Sequence, residues 1–206
     1  MEADPHPEWN VALEEVIRKE GEQAEGLYWL HNQAAGWALR RNDRIQIPSI
    51  ILATVTGFFS ATSELLPPVV IGALSVVVGI LNTINSYFKY AQKAEGHRIA
   101  ALWYLKTYKN IECQLSLPIS QRVNAEDFLR DLRENMARVS ETAPPLPEAV
   151  TNAFREKFKS GLTAKPIEAN GLDQIVVYRG EDPKTPRTAK PEVKITVLPS
   201  PTPSKH

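Results

Sequence analysis

Four histidines, one cysteine and a few neighbouring carboxylates are the side chains here with the strongest claim to chemistry at neutral pH. His6, His31, His97 and His206 are scattered along the chain. A zinc site takes three or four ligands, so a metal centre is not expected. His31 and His97 can meet if the two helical stretches that carry them lie side by side, and a polar helix–helix contact is the expected result. Cys113 sits beside Glu112 with Lys109 one turn back, and reads as an inert thiol. Glu126 and Asp127 are adjacent, so on a helix they point in different directions and cannot serve as a catalytic acid pair. No glycine-rich phosphate loop and no His-Glu-x-x-His pattern occurs. The expectation is a protein with no catalytic residues, no metal ligands and no cofactor, and therefore not an enzyme.

What positions these residues follows from how charge is distributed. The 206 residues carry 24 basic and 24 acidic side chains, for a net charge of zero. Mean hydropathy is -0.27, the average of a soluble chain. A neutral chain with one cysteine is no disulfide scaffold, no multi-cysteine metal knuckle and no basic nucleic-acid arm. The averages conceal a concentration of apolar residues. Ile45 to Ser63 is a charge-free run of about 19 residues, and Leu65 to Phe88 a second of about 24. Glu64 alone separates them. At about 1.5 Å per residue the shorter run spans about 28 Å as a helix, close to the hydrocarbon core of a bilayer. A cleaved signal peptide fits poorly, because the apolar run begins some 44 residues in. A hairpin buried in a soluble protein is disfavoured because the core available to so short a chain is small.

Glu64-Leu65-Leu66-Pro67-Pro68 predicts a tight turn, with Pro68 suited to the first turn of the second helix. The two flanks of the hairpin then lie on one side. Arg40, Arg41 and Arg44 precede the apolar runs and Lys89, Lys93 and Arg98 follow them. By the positive-inside rule this basic flank places both termini in the cytoplasm.

Within the runs, small and polar residues recur at helical spacing. Ser49, Ala53, Thr56, Ser60 and Ser63 form one stripe, and Gly72, Ser75, Gly79, Asn82 and Ser86 another. Two functions are open to such stripes. Small residues let membrane helices approach closely, which makes a packing seam. Alternatively, Thr56, Ser60, Asn82 and Asn85 line a polar path, which two helices cannot enclose without further copies of the chain. No ionisable residue lies mid-span, which argues against a proton relay or voltage sensor.

Outside the hairpin the helical period continues. Trp9 to Arg41 lacks proline and repeats apolar residues at Leu13, Ile17, Ala24, Leu27, Leu30 and Ala34. Pro48 either falls in the first turn of the membrane helix or marks a bend just before it. The pattern from Asn82 to Gln114 predicts that the second membrane helix runs on as one rod, interrupted in pattern only by Gly96 and ended by Pro118. Asn124 looks like a helix cap, with Asp127 in the place of a capping-box acid, ahead of the amphipathic series Phe128, Leu129, Leu132, Met136 and Val139. Pro144-Pro145-Leu146-Pro147 breaks that helix, and a short one is expected over 148–159. Beyond residue 160 proline accumulates. Ile175–Tyr178 and Val193–Val197 are β-like, and the default expectation for the segment is a mobile proline-rich tail, in which Thr185, Ser200 and Thr202 each precede a proline as in proline-directed phosphorylation sites.

Several of these features taken in order resemble a known family. They are Trp29-x-His31, the run Ile47-Pro48-Ser49-Ile50-Ile51-Leu52-Ala53-Thr54-Val55-Thr56-Gly57, and the hairpin. Next come Phe88-Lys89-Tyr90-Ala91-Gln92-Lys93-Ala94-Glu95-Gly96-His97-Arg98-Ile99-Ala100-Ala101 and Leu115-Ser116-Leu117-Pro118. Over residues 9–160 the chain resembles SLATT domains, two-transmembrane effector domains associated with SMODS and SLOG proteins, and looks closest to versions carried by large DNA viruses. The resemblance implies a two-helix membrane hairpin with cytoplasmic helices and a pore-forming effector role. The sequence shows no phosphate-binding loop, so a nucleotide-sensing domain is not expected within it.

The expected fold is an all-α membrane protein: a two-transmembrane helical hairpin with long cytoplasmic helix extensions and a proline-rich C-terminal tail. The divisions are an N-terminal cytoplasmic helix (1–44), the hairpin (45–88), a cytoplasmic helical region (89–160) and the tail (161–206). The expected function is a homo-oligomeric pore-forming or membrane-perturbing effector; the alternative is a structural protein or scaffold of a viral or virus-remodelled membrane. Its expected partners are the lipid bilayer, further copies of itself and a protein partner for the tail, with no nucleic acid.

Overall fold

Two series of buried residues, each repeating every seven, organise the molecule. In the computed structural model, which describes residues 9–62, 66–159 and 164–170, α1 runs from Val11 to Ala61 as one helix of 51 residues. The Asn10 side chain caps it by accepting from the Leu13 amide at 2.9 Å. Ile17, Ala24, His31 and Ala38 are buried along α1. Tyr90, His97, Tyr104 and Ile111 are buried along α3, Tyr90–Ser116. The helices run antiparallel, and a seven-residue repeat keeps each series facing its partner. Because His31 meets His97, the same register sets Ile17 level with Ile111, Ala24 with Tyr104 and Ala38 with Tyr90. Small residues on both sides, including Gly21 and Ala100, admit close approach. A Cβ built on Gly21 would stand 3.0 Å from the Ile111 side chain.

Pro48 does not interrupt α1. Its ring lies on an exposed face, and the helix loses one backbone donor there. α2, Pro68–Phe88, starts with Pro68 at its first turn as expected. Of the expected turn, Glu64 and Leu65 lie outside the described residues, and Pro67 stands at the cap position of α2.

The expected unbroken rod from residue 82 to residue 114 is corrected at one position. Lys89 separates α2 from α3 with φ 50° and ψ 42°, a left-handed conformation. The break has a geometric reason. Ser49 pairs with Asn82 and Gln46 with Asn85 between α1 and α2, whereas His31 pairs with His97 between α1 and α3. These registers differ by three residues, close to one helical turn. The buried series on α1 changes phase over the same stretch, stepping eleven residues from Ala38 to Ser49 before resuming seven to Thr56.

After Pro118 and a short 3-10 turn, Ile119–Gln121, come α4, Ala125–Thr142, and α5, Glu148–Lys157. Asn124 caps α4 by accepting from the amides of Glu126 (2.9 Å) and Asp127 (3.3 Å). The Asp127 carboxylate pairs with Arg130 at 2.6 Å. α6, Ile167–Asn170, follows the buried Pro166, which lies so close to Gly26 that a Cβ there would be 2.5 Å from its ring. One core cluster gathers Leu27, Leu30, Tyr104, Val139, Val150 and Phe154, and another Ile17, Ile111, Phe128 and Leu132.

The described residues are all-helical. Two helices are long and apolar enough to cross a membrane, and only 6% and 0% of their most apolar windows are buried by protein. The chain divides into a unit of residues 1–173 and a second of 174–206. The second unit, with the β-like runs, the proline-directed sites and most of the expected tail, lies outside the described residues.

Candidate functional site

The polar residues that sequence spacing singled out fall into two places. The first is the bundle interior. His31 and His97, at 3% and 2% exposure, face each other with their Nδ1 atoms 2.9 Å apart. One Nδ1 must carry a hydrogen and donate while the other accepts; a second proton would set two N–H groups head to head. Tyr104 stacks on His31 with ring centroids 5.5 Å apart. Burial, with the neighbouring His97 second, lowers the His31 pKa to about 4. Burial also lowers that of His97, with the Lys93 ammonium adding to it. Tyr104 is pushed up to about 12 by burial and by Glu168, so its hydroxyl stays neutral. The pair is thus a polar contact between neutral imidazoles. Among the described residues, no three His, Cys, Asp or Glu side chains come together as a metal site. Cys113 is exposed, and Lys109 is engaged by Glu112 at 2.7 Å rather than by the thiol.

The second place is the hairpin. Ser49 Oγ donates to Asn82 Oδ1 at 2.7 Å, and Asn85 Nδ2 donates to Gln46 Oε1 at 2.6 Å. Of the first stripe, Ser49 and Thr56 are buried against α2, Ala53 and Ser60 are exposed beside it, and Ser63 lies outside the described residues. Of the second, Gly72, Ser75, Gly79, Asn82 and Ser86 are all exposed. The face of α2 turned to α1 is the adjacent one, carrying Ile71, Leu74, Val78, Leu81 and Asn85. A Cβ added at Gly57, Gly72 or Gly79 would meet nothing within 4 Å. Between the helices, Ala53, Thr56, Ser60, Ile71, Ser75 and Val78 line a groove of about 350 Å³. Ser75 Oγ bonds back to the Ile71 carbonyl at 2.9 Å, while Thr56 Oγ1 and Asn85 Oδ1 are buried without a hydrogen-bond partner among the described residues.

The basic flank stands at the open end of the hairpin. Arg41 lies 4.4 Å from the Trp37 ring centroid and Lys93 5.9 Å from that of Tyr90. Arg40, Arg44 and Lys89 are exposed. Arg98 is different: Glu95 holds it at 2.6 Å and offsets its charge. Sequence reasoning missed Arg122, which joins local carbonyls to Glu14, 108 residues away in sequence. It reaches Glu14 at 2.5 Å, donates to the carbonyls of Leu117 and Leu115 at 2.9 and 3.3 Å, and lies 4.9 Å over Trp9. The local signal for it is weak, because a lone arginine after a proline has no periodic partner.

No family model, curated protein or solved structure matches the chain.

Proposed function

We propose that the chain is an integral membrane protein whose hairpin crosses the bilayer twice, with both flanks on the cytoplasmic side, and which assembles into a pore-forming or membrane-perturbing homo-oligomer. One observation carries the reading: α2 buries none of its residues against protein, although Val69, Val70, Val76, Val77 and Ile80 are among its exposed apolar side chains. In water such a surface would associate; in lipid it is already solvated. Gly72 and Gly79 in the exposed stripe support assembly, since small residues with nothing against them leave room for a neighbouring helix backbone. Thr56 and Ser60 beside that face would give the assembly a polar wall. The resemblance to SLATT domains supports the same function. Nucleotide control is not part of the proposal.

Reconstitution tests it. Purified protein in liposomes should release a trapped dye, and Gly79→Leu and Asn82→Leu should suppress release while the protein still inserts. Insertion without release in the parent protein would overturn the pore and leave the alternative reading, a membrane scaffold. That alternative draws on the packed bundle of α3, α4 and α5, a rigid platform at the membrane edge.

A further inference from the structure

Lys89 is the one non-glycine residue with positive φ among the described residues. Helices that end on a left-handed residue usually carry glycine or asparagine there, because a Cβ is strained in that conformation. The backbone needs the conformation to change register between α2 and α3, and glycine would provide it with less strain. What lysine adds is its side chain. Strained residues of this kind cluster at ligand clamps. Lys89 lies on a pocket of about 260 Å³ shared with Asn42, Asn85, Ser86, Tyr90 and Gln92. The Lys89 ammonium, the Ser86 hydroxyl and the Gln92 amide make no hydrogen bond or ion pair among the described residues. Three residues with unengaged donors thus line one concavity, and donors without acceptors suit an anion with several oxygens.

The pocket's place selects among anions. It opens where the charge-free run ends at Phe88, beside Tyr87, which is 80% exposed, and near Trp37. Aromatic rings and lysines in this arrangement mark the headgroup level of a bilayer. Arg40, Arg41, Arg44 and Lys93 add positive potential, and Asp43 accepts from Asn42 at 3.3 Å. We propose that this pocket binds the phosphate of an anionic phospholipid headgroup, with Lys89, Ser86 and Gln92 as its donors. The proposal rests on the reading that the hairpin lies in a membrane.

Native mass spectrometry of the full chain released from nanodiscs tests it, with phosphatidylglycerol, phosphatidylcholine and soluble glycerol 3-phosphate compared. Phosphatidylglycerol should stay bound in preference to the other two. Lys89→Gly keeps the left-handed backbone and removes the cation, so it should fold and lose about tenfold in phosphatidylglycerol affinity. Lys106→Gln removes a cation outside the pocket and should change nothing. Equal binding of phosphatidylcholine, equal binding of the soluble phosphate, or full retention by Lys89→Gly would each overturn the site while leaving the membrane reading intact. Failure of the chain to enter nanodiscs at all would overturn both.

Discussion

α1 contributes half of two different helix pairs, and the two are built on opposite terms. Along residues 11–44 it packs on α3 through a closed seam, with Ile17, Ala24, Leu30 and Ala34 at 0% exposure and α4, α5 and α6 adding to the core. Along residues 45–61 it packs on α2 alone, and the outward faces of Ile47, Ile50, Ile51 and Phe58 remain more than half exposed. The first pair has its partners within the chain. The second takes its solvent, and on the proposed reading its remaining partners, from outside. Polar contacts follow the same division. In the bundle, His31 and His97 satisfy each other inside an apolar seam. In the hairpin, Ser49–Asn82 and Gln46–Asn85 tie the open end together while the buried Thr56 hydroxyl has no partner among the described residues. Stability of the isolated chain should therefore reside in the bundle, and the hairpin should be sensitive to its surroundings.

Substitutions can break or sharpen this contrast. The largest effect belongs to Leu30→Ala: a fully buried leucine lost from the core should cost about 3 kcal/mol in thermal unfolding followed in mild detergent. A loss under about 1 kcal/mol would mean that the bundle core is not what stabilises the chain. Next is the histidine pair. Its folded pKa values lie below the ordinary imidazole value. The neutral form is therefore favoured by folding, so the contribution is complete above about pH 6.5 and is lost as pH falls towards about 4. From His31 alone the loss at pH 5 should reach up to about 2 kcal/mol. The melting temperature should drop between pH 7.5 and pH 5, and His31→Leu with His97→Leu should flatten that slope. An unchanged slope would contradict the buried neutral pair.

Lys89→Gly should stabilise the chain by up to about 1 kcal/mol, because relief of the left-handed Cβ exceeds the backbone entropy that glycine adds. A clear destabilisation would show that the lysine side chain holds the junction by contacts of its own. The smallest effect is expected for Val77→Ala on α2, within about 0.5 kcal/mol in detergent, since the side chain is 44% exposed. A loss as large as that of Leu30→Ala would erase the distinction between the two regions.

Much of this was legible in the residues. Charge-free runs located the hairpin helices, Pro68 and Pro118 marked a start and a stop, and Asn124 announced its cap, because each signal is local and has one physical meaning. The meeting of His31 with His97 was legible as a condition, and the seven-residue series through both supplied what the condition lacked. The rod's break at Lys89 was not legible. No glycine, asparagine or proline marks it, and the cause is a register difference between two distant helix pairs. Spacing also grouped Gly72, Ser75, Gly79, Asn82 and Ser86 without telling which face of α2 would turn to α1. The larger apolar residues beside the stripe took most of that contact, with Asn82 bonding to Ser49 at its edge.

The most direct test of the membrane reading uses the single cysteine, Cys113, which is exposed on α3. The full chain is expressed in cells and treated with a membrane-impermeant maleimide before and after permeabilisation. Pro67→Cys in a Cys113→Ala background reports on the tip of the hairpin. The account predicts that the protein stays in carbonate-washed membranes, that Cys113 reacts only after permeabilisation, and that the cysteine at position 67 reacts in intact cells. Release into the carbonate supernatant, or both cysteines reacting from the same side, would contradict it.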